Sequence, residues 1–438
     1  MSTSALSVAS DGFAVLGVPP QLSAALARGG ISEPFPIQAA TLPDCLAGRD
    51  ICGKAPTGSG KTLAFGLGVL SRLAESPGGE SRGRRRDGGR PRALILVPTR
   101  ELASQVEAEL GPLAGSVGAA VTSVYGGIGY GKQLAALRRG VDVLIACPGR
   151  LEDLVARGAV DLSFVEMVVI DEADRMADMG FLPAVRRLVN QTSPSRQTLL
   201  FSATLDGPID KLVRDYQSSP ARHEVTLADT DRGEIHHRFW SVDAEARVAL
   251  TAETIAARGP ALVFCRTKRG ADRLSQRLAR LGLSAAPIHG DRSQSQRERA
   301  LADFRSGRLD VLVATDVAAR GIHVDAVPLV VHYDPPADST DYVHRSGRTG
   351  RAGADGLIIS LFGPGRVTEA RKLQRQLGFP PGVSSPDVSG LPIVRKPGGG
   401  IRRPKPASST KKTHRGRHAA APSGRRPLPS RKRRSSRR

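Results

Sequence analysis

Ala55-Pro56-Thr57-Gly58-Ser59-Gly60-Lys61-Thr62 is the stretch whose reading decides the fold. It follows Asp50-Ile51-Cys52-Gly53-Lys54, a short apolar run suited to a buried strand. It precedes Leu63-Ala64-Phe65-Gly66-Leu67-Gly68-Val69-Leu70, whose apolar spacing suits a helix. Strand, glycine-rich turn and helix in that order build a cradle for phosphate groups. Thr57, Gly58, Ser59 and Gly60 turn backbone N–H groups onto phosphate oxygens, and the helix N-terminus adds its positive dipole end. Lys61 reaches the β- and γ-phosphates, and Thr62 offers a hydroxyl to Mg²⁺. Ala55 stands where the strict eight-residue pattern has glycine. A plain Gly/Ser turn is the bland alternative, but such a turn has no need of Gly-Lys-Thr at a helix start.

With 438 residues the chain has room for two to three domains, each with its own core. The net charge of +22 points to a polyanionic partner. That charge is unevenly placed: residues 391–438 hold 17 Lys/Arg and no acid, so the remainder is only mildly basic. Cys45, Cys52, Cys147 and Cys265 show neither zinc spacing nor disulfide density and read as reduced, mostly buried thiols. The N-terminus lacks a basic segment leading an apolar one, and no apolar run reaches membrane-spanning length. A cytoplasmic monomer with no membrane contact is expected.

Along the chain, residues 1–20 are expected to form an arm on the first domain. Pro20 to Ala27 suits a short helix, and Gln38 stands at the start of another, Ala39 to Leu46. A lone glutamine is usually a surface residue; its place shortly before a phosphate loop favours reading a base edge. Ser76 to Arg92 has no apolar period and reads as an exposed insertion. Strands are expected at Ala93–Val97, Ala120–Val124, Asp142–Ala146, Glu166–Ile170 and Thr198–Phe201, with helical stretches between. A second series follows at Ala261–Cys265, Ser284–His289, Leu309–Ala314, Pro328–His332 and Gly356–Leu361. Apolar strands alternating with helices mean parallel sheets covered on both faces, so the fold class is α/β with two tandem domains. The expected boundaries are 21–222 and 234–378, joined by a linker at 223–233. A basic tail, 379–438, has too little apolar content to offset the entropy of ordering.

The run Glu166-Met167-Val168-Val169-Ile170 ends in Asp171-Glu172-Ala173-Asp174. Ligands bind at the carboxyl ends of parallel strands, so Asp171 is placed to hold Mg²⁺ through water and Glu172 to orient and deprotonate an attacking water. An acidic turn capping the next helix would explain Asp171 alone, not its coincidence with Lys61 and Thr62.

In this order the residues resemble the DEAD-box family of RNA-dependent ATPases and RNA helicases, over about Phe13 to Leu377. The resemblance is carried by Gln38, Pro98-Thr99-Arg100-Glu101-Leu102, Gly126-Gly127, Pro148-Gly149-Arg150 and Ser202-Ala203-Thr204. In the second half it is carried by Val263 to Lys268, His289-Gly290-Asp291, Thr315 to Gly321 and His344-Arg345-Ser346-Gly347-Arg348-Thr349-Gly350-Arg351. It implies two RecA-like domains, ATP with Mg²⁺, and RNA as the partner. Phe13, Gln38 and residue 323 are implied as nucleotide contacts. Arg348 and Arg351 are implied as cations that the second domain brings to the γ-phosphate, and Ser202, Thr204, Asp174 and His344 as the coupling between nucleotide and RNA. Thr99, Arg100, Gly126, Gly127, Gly149, Arg150, Gly290 and Thr315 match positions gripping the RNA backbone, where small residues admit phosphates without sequence preference.

The chain departs from the family at His323, where an acid is usual, at Phe35 and Cys147, where Thr is commoner, and at Pro56, where Gln is commoner. The tail runs Lys411-Lys412, Arg415-Gly416-Arg417 and Arg431-Lys432-Arg433-Arg434 carry no aromatic platform, so they are expected to bind RNA through counterion release alone. A DNA-stimulated helicase and an RNA-annealing chaperone or ATP-gated clamp are the competing readings. Protein partners from ribosome assembly or RNA decay are compatible with either half of the resemblance.

Overall fold

A computed structural model describes residues 12–56, 58–75, 88–225, 233–319, 324, 327–350 and 354–393. Thr57, His323, Arg351, most of the expected insertion and linker, and the basic segment from 394 onward lie outside the described residues.

The first lobe is a seven-stranded sheet of β1 (Ile51–Lys54), β2 (Ala93–Leu96), β3 (Val121–Val124), β4 (Val143–Ala146), β5 (Met167–Asp171), β6 (Gln197–Ser202) and β7 (Ala221–Glu224). Its spatial order is β3-β4-β2-β5-β6-β1-β7, with every pairing parallel. The second lobe uses β8 (Ile235–Ser241), β9 (Ala261–Phe264), β10 (Ala285–Ile288), β11 (Val311–Ala314), β12 (Leu329–His332) and β13 (Gly356–Phe362), in the order β10-β11-β9-β12-β13-β8. These pairs too are parallel.

Central strands such as Ala93–Leu96 and Val143–Ala146 are buried along their whole length. Helices therefore cover both faces, because a parallel sheet has no wet side to spend on polar residues. One face of the first sheet, through Ile51, Ile95 and Val169, packs against the helices Pro36–Leu46, Lys61–Glu75 and Arg100–Ser116. The other, through Cys52, Leu94 and Val168, packs against Pro148–Ala156, Leu182–Val189 and Pro208–Tyr216. Each fully buried Leu, Ile or Val side chain contributes roughly 1.5–3 kcal/mol, so the cores hold the strand ends in fixed register.

Three expectations are corrected. The segment read as linker from residue 223 begins inside β7, which pairs with β1 in register Ile51↔Ala221. The strand Ala-Arg-His-Glu escapes an apolar pattern because an edge strand needs only one covered side. Its polar side chains find partners instead: Glu224 accepts from Lys54 at 2.6 Å, and His223 lies 2.9 Å from Asp44. β8 was likewise absent from the expected strands, its two histidines and arginine hiding the pattern. Finally, residues 379–393, assigned to a disordered tail, pack on the second lobe. Ser384 exchanges backbone hydrogen bonds with Phe239 and Ser241 (3.0 and 2.9 Å), Arg258 donates to the carbonyls of Val388 and Leu391 (3.0 and 2.6 Å), and Leu391 is buried. Pairing with the open β8 edge orders this piece where apolar content could not.

The helix expected from Ala39 starts at Pro36. Proline at the first helical position gives up no needed N–H, which lengthens the helix backward and puts Gln38 on its first turn.

Candidate active site and nucleic-acid interface

Sheet order sorts the expected site residues into two groups along the carboxyl edge of the first lobe. β5, β6 and β1 are neighbours, so Asp171, Ser202 and the loop after Lys54 converge. β3, β4 and β2 form the other half, bringing Gly126-Gly127, Gly149-Arg150 and Thr99-Arg100 side by side.

In the first group, the loop after β1 bends through Gly58 and Gly60, whose φ angles are +84° and +86°. A Cβ on Gly60 would sit 2.5 Å from Gln38 Nε2 and 2.7 Å from the Phe35 ring, so glycine is required both for its conformation and for its space. Gln38 is buried, its Oε1 accepting from Phe35 N (2.8 Å) and its Nε2 donating to Gly60 O (2.9 Å). It thus satisfies the N–H of the N-cap residue Phe35, the reciprocal half of a capping box, and braces the phosphate loop. Oε1 keeps a second lone pair and Nε2 a second N–H, the acceptor and donor that reading a base edge would use. Lys61 opens the helix Lys61–Glu75 and curls its Nζ back onto the carbonyls of Ala55 (2.7 Å) and Pro56 (3.2 Å). The amine occupies the loop's hollow, where phosphate oxygens would take over from those carbonyls.

β5 delivers Asp171, nearly inaccessible, whose Oδ1 accepts from Glu172 N at 2.9 Å. Glu172 itself is left-handed, at φ 50° and ψ 50°, a conformation costing a non-glycine residue about 1–2 kcal/mol. An ion pair from the partly buried Arg175 to Oε2 of buried Glu172 (3.0 Å) holds it there. Asp174 reaches across to the neighbouring strand: its N–H donates to Ser202 Oγ (3.2 Å), and its Oδ2 accepts from Ala203 N (3.1 Å). The carboxylate loop and Ser202-Ala203-Thr204 are therefore one hydrogen-bonded unit.

The second lobe completes the site. A cavity of about 490 Å³ lies between the lobes, lined from one side by Lys61, Glu172 and Thr204 and from the other by His344, Arg345 and Arg348. Arg348 is 8% exposed and faces the cavity; His344 is exposed on its rim. Arg345, which the sequence reading left without a role, holds Asp316 with a two-pronged pair (2.6 and 2.8 Å) and donates to Asp334 O (2.8 Å). It fastens the helix Ser339–Ser346 to the end of β11, and so sets where Arg348 points. Its place three residues before Arg348 was the available signal.

Phe13, expected to touch nucleotide, is fully buried in the first lobe's core and presents no open ring face. Exposed aromatic surface beside the loop comes from Phe35, 57% accessible.

In the second group, Thr99 caps the helix Arg100–Ser116 by accepting from Leu102 N (3.3 Å). Gly126, Gly127 and Gly149 are exposed, and Gly127 has φ +84° with the Arg100 guanidinium where a Cβ would project. Arg150 donates to Ile128 O (3.0 Å) and lies over the Tyr130 ring, 4.3 Å from its centre. In the second lobe, exposed Gly290 follows β10 and buried Thr315 follows the neighbouring β11. One contact that sequence reasoning missed ties the two strips together. Glu101 Oε1 lies 2.8 Å from Arg297 of the second lobe and 3.2 Å from Arg100, with Glu101 and Arg297 both almost wholly buried.

Two parallel α/β lobes that share a phosphate loop and an interlobe arginine define a two-domain P-loop protein. Residues 35–212 match the family described as DEAD/DEAH box helicase, and residues 244–353 match the Helicase conserved C-terminal domain. The chain belongs to the DEAD-box RNA helicase family. It is 39% identical to the ATP-dependent RNA helicase RhlB of Pseudomonas syringae pv. tomato, over 82% of this chain and 91% of that protein. It is 40% identical to the mitochondrial DEAD-box ATP-dependent RNA helicase 9 of Arabidopsis thaliana, over 84% of this chain but 60% of that protein. The chain thus spans about 60% of the length of several plant relatives it matches. Among solved structures, S. cerevisiae Dbp5 bound to RNA and ADP BeF3 is similar with a TM-score of 0.69 and 26% identity, covering 87% of this chain and 96% of that one.

Proposed function

We infer that this chain is an ATP-dependent RNA helicase that hydrolyses ATP between its lobes and locally opens short duplexes while holding one strand by its backbone. The observation that carries this reading is the single cavity lined by Lys61 and Glu172 from one lobe and Arg348 from the other. Hydrolysis then depends on the lobes meeting, and the Glu101–Arg297 pair makes that meeting part of the RNA strip.

The donor set suits Mg²⁺. Among the described residues no group of three His, Cys, Asp or Glu forms a metal cage. A small cation that keeps its waters needs only Thr62 and Asp171, and it would neutralise charge on the phosphates. Lys61 exchanges its loop carbonyls for phosphate oxygens. Glu172, fixed by Arg175, orients the attacking water and takes its proton. Arg348, and Arg351 in the same role, stabilise charge developing at the transferred phosphoryl group. Asp174, Ser202, Thr204 and His344 pass the state of the cleft to the RNA strip.

Thr99, Arg100, Gly126, Gly127, Gly149, Arg150, Gly290 and Thr315 line that strip and hold the strand. A strand bent over both lobes no longer fits a continuous duplex. Melting then costs about 1–2 kcal/mol per step, by analogy with DNA stacking, so a few pairs per cycle are within reach of closure. His323 takes the place of the acid that the family sets beside the ribose. The test is hydrolysis rate against added RNA or DNA of matched length, with Glu172→Gln as control. Equal stimulation by DNA would favour the DNA-stimulated reading, and duplex remodelling that survives Lys61→Ala would favour the annealing clamp.

A further inference from the structure

The second lobe carries a basin that neither the interlobe cavity nor the RNA strip uses. It is a cavity of about 460 Å³ whose lining includes Arg266, Arg273, Arg277, Arg366 and Tyr333, with Asp334 as the one acid among its lining residues. Its origin is local. The helix Lys268–Arg280 buries Ala271, Leu274 and Leu278, which leaves Arg273 and Arg277 exposed one turn apart. Like charges at that spacing repel by a few tenths of a kcal/mol, a cost that a counter-anion removes.

The protein cancels only part of the positive charge there. Among the described residues Arg266, Arg273 and Arg277 form no ion pair, and Arg366 pairs only with exposed Glu369 (2.5 Å). Asp334 is the one carboxylate at the basin, its Oδ2 accepting from Arg266 N at 2.8 Å. Thr267 caps the helix by accepting from Gly270 N (3.0 Å). The turn Arg266-Thr267-Lys268 is also a divide. Lys268 pairs with Asp291 (2.6 Å) and lies against Gly290 on the strip side, while Arg266 lines the basin. In sheet order the carboxyl ends run β10, β11, β9, β12, so Gly290, Thr315, Thr267 and Tyr333 follow in a row. From β10 to β12 is three strand spacings, about 14 Å.

We propose that this basin seats consecutive phosphates: those of the RNA strand that leaves the strip past Gly290 and Thr315, as a subsite extending the grip of the second lobe. The guanidinium forks of Arg273 and Arg277 suit bidentate phosphate contact and read no bases. The subsite rests on the RNA-binding reading, and a free polyphosphate shares its chemistry, so the test separates the three.

Full-length wild type and the Arg273→Gln/Arg277→Gln double variant are titrated with labelled single-stranded RNA of about 6 and about 20 nucleotides, with a non-hydrolysable ATP analogue, over a range of salt. Wild type gains affinity with length. The variant loses about tenfold of that gain and binds the short RNA as wild type does, and its salt slope on long RNA falls by about 1.4, at 0.7 per phosphate. An unchanged length gain, or an equal loss on both lengths, overturns the RNA subsite. If wild type does not bind the short RNA at all, the RNA-binding reading fails, and calorimetry with inorganic tripolyphosphate decides the basin. Tripolyphosphate binding by wild type but not by the variant, with RNA length dependence unaffected, keeps the phosphate site and assigns it to free polyphosphate; binding by neither protein, or equal binding by both, overturns it.

Discussion

The two halves of the first lobe's carboxyl edge are built by opposite means. Around β5, β6 and β1 the side chains are buried and mutually bonded: Lys61 on the loop carbonyls, Arg175 on Glu172, Asp174 on Ser202 and Ala203. Around β3, β4 and β2 the edge is bare glycine, Gly126, Gly127 and Gly149, with arginines at its margin. Chemistry on a phosphoryl group needs charges held to within fractions of an ångström, which only packed partners supply. Grip on a backbone of variable sequence needs clearance and N–H groups, which side chains would obstruct. The bare half touches the second lobe through Glu101 and Arg297, and that same lobe places Arg348 in the cavity beside the packed half.

The sharpest break in this contrast is Arg348→Ala. It removes a charge that acts only when the lobes meet, and kcat should fall by about 10³-fold or more with little change in RNA affinity. Lost nucleotide affinity at unchanged kcat would make Arg348 a binding residue. Glu172→Gln belongs beside it, expected to lower turnover by about 10²–10⁴-fold while ATP and RNA still bind; normal turnover removes Glu172 from the mechanism.

Glu101→Gln tests the junction. Breaking a buried pair from one side costs about 3–5 kcal/mol, because Arg297 is left buried without its counter-charge. Closure carries that cost, so RNA-stimulated kcat/KM should drop about 10²–10⁴-fold, with thermal unfolding of the lobes little moved. Arg297→Leu in the same protein should restore part of the loss. Stimulation that survives Glu101→Gln intact would mean that the RNA strip and the cavity are coupled through another contact between the lobes.

On the bare half, Gly127→Ala forces a side chain into a left-handed backbone and against Arg100, at a cost of about 1–2 kcal/mol. The RNA concentration for half-stimulation should rise about tenfold while nucleotide affinity measured without RNA stays at the wild-type level. A drop in nucleotide affinity instead would erase the distinction between the halves.

Acid should sharpen it most mildly. His237 is pushed down to about 4, chiefly by burial and then by His236 and Arg238, and His332 is held well below the usual imidazole range, chiefly by burial and then by Arg345 and His237. His237 bonds Tyr342, on the helix that leads to Arg348. Between about pH 6.5 and 4 the unfolded chain takes protons that the native lobe refuses, so stability falls as pH falls. The limit is about 1.4 kcal/mol per pH unit for each group. Melting temperature against pH should lose slope in this window for His237→Asn. Superimposable curves would show that the histidine does not report on this lobe.

The fold class and most of the strands were legible because a parallel sheet writes its burial directly as apolar runs, and the phosphate loop because its glycines and lysine have no other economical use. Burial of the thiols also followed from residue type: Cys45 and Cys147 are pushed up to about 12 and Cys265 higher still, chiefly by desolvation, so all three stay protonated. β7, β8 and the packed stretch 379–393 were hidden, since edge pairing rests on backbone hydrogen bonds that carry no side-chain pattern. The capture of Gln38 by the phosphate loop, the burial of Phe13 and the placing of Arg345 and Arg297 were decided only in three dimensions. Each depends on residues tens to hundreds of positions apart, and sheet order, which no local spacing encodes, is what brings them together.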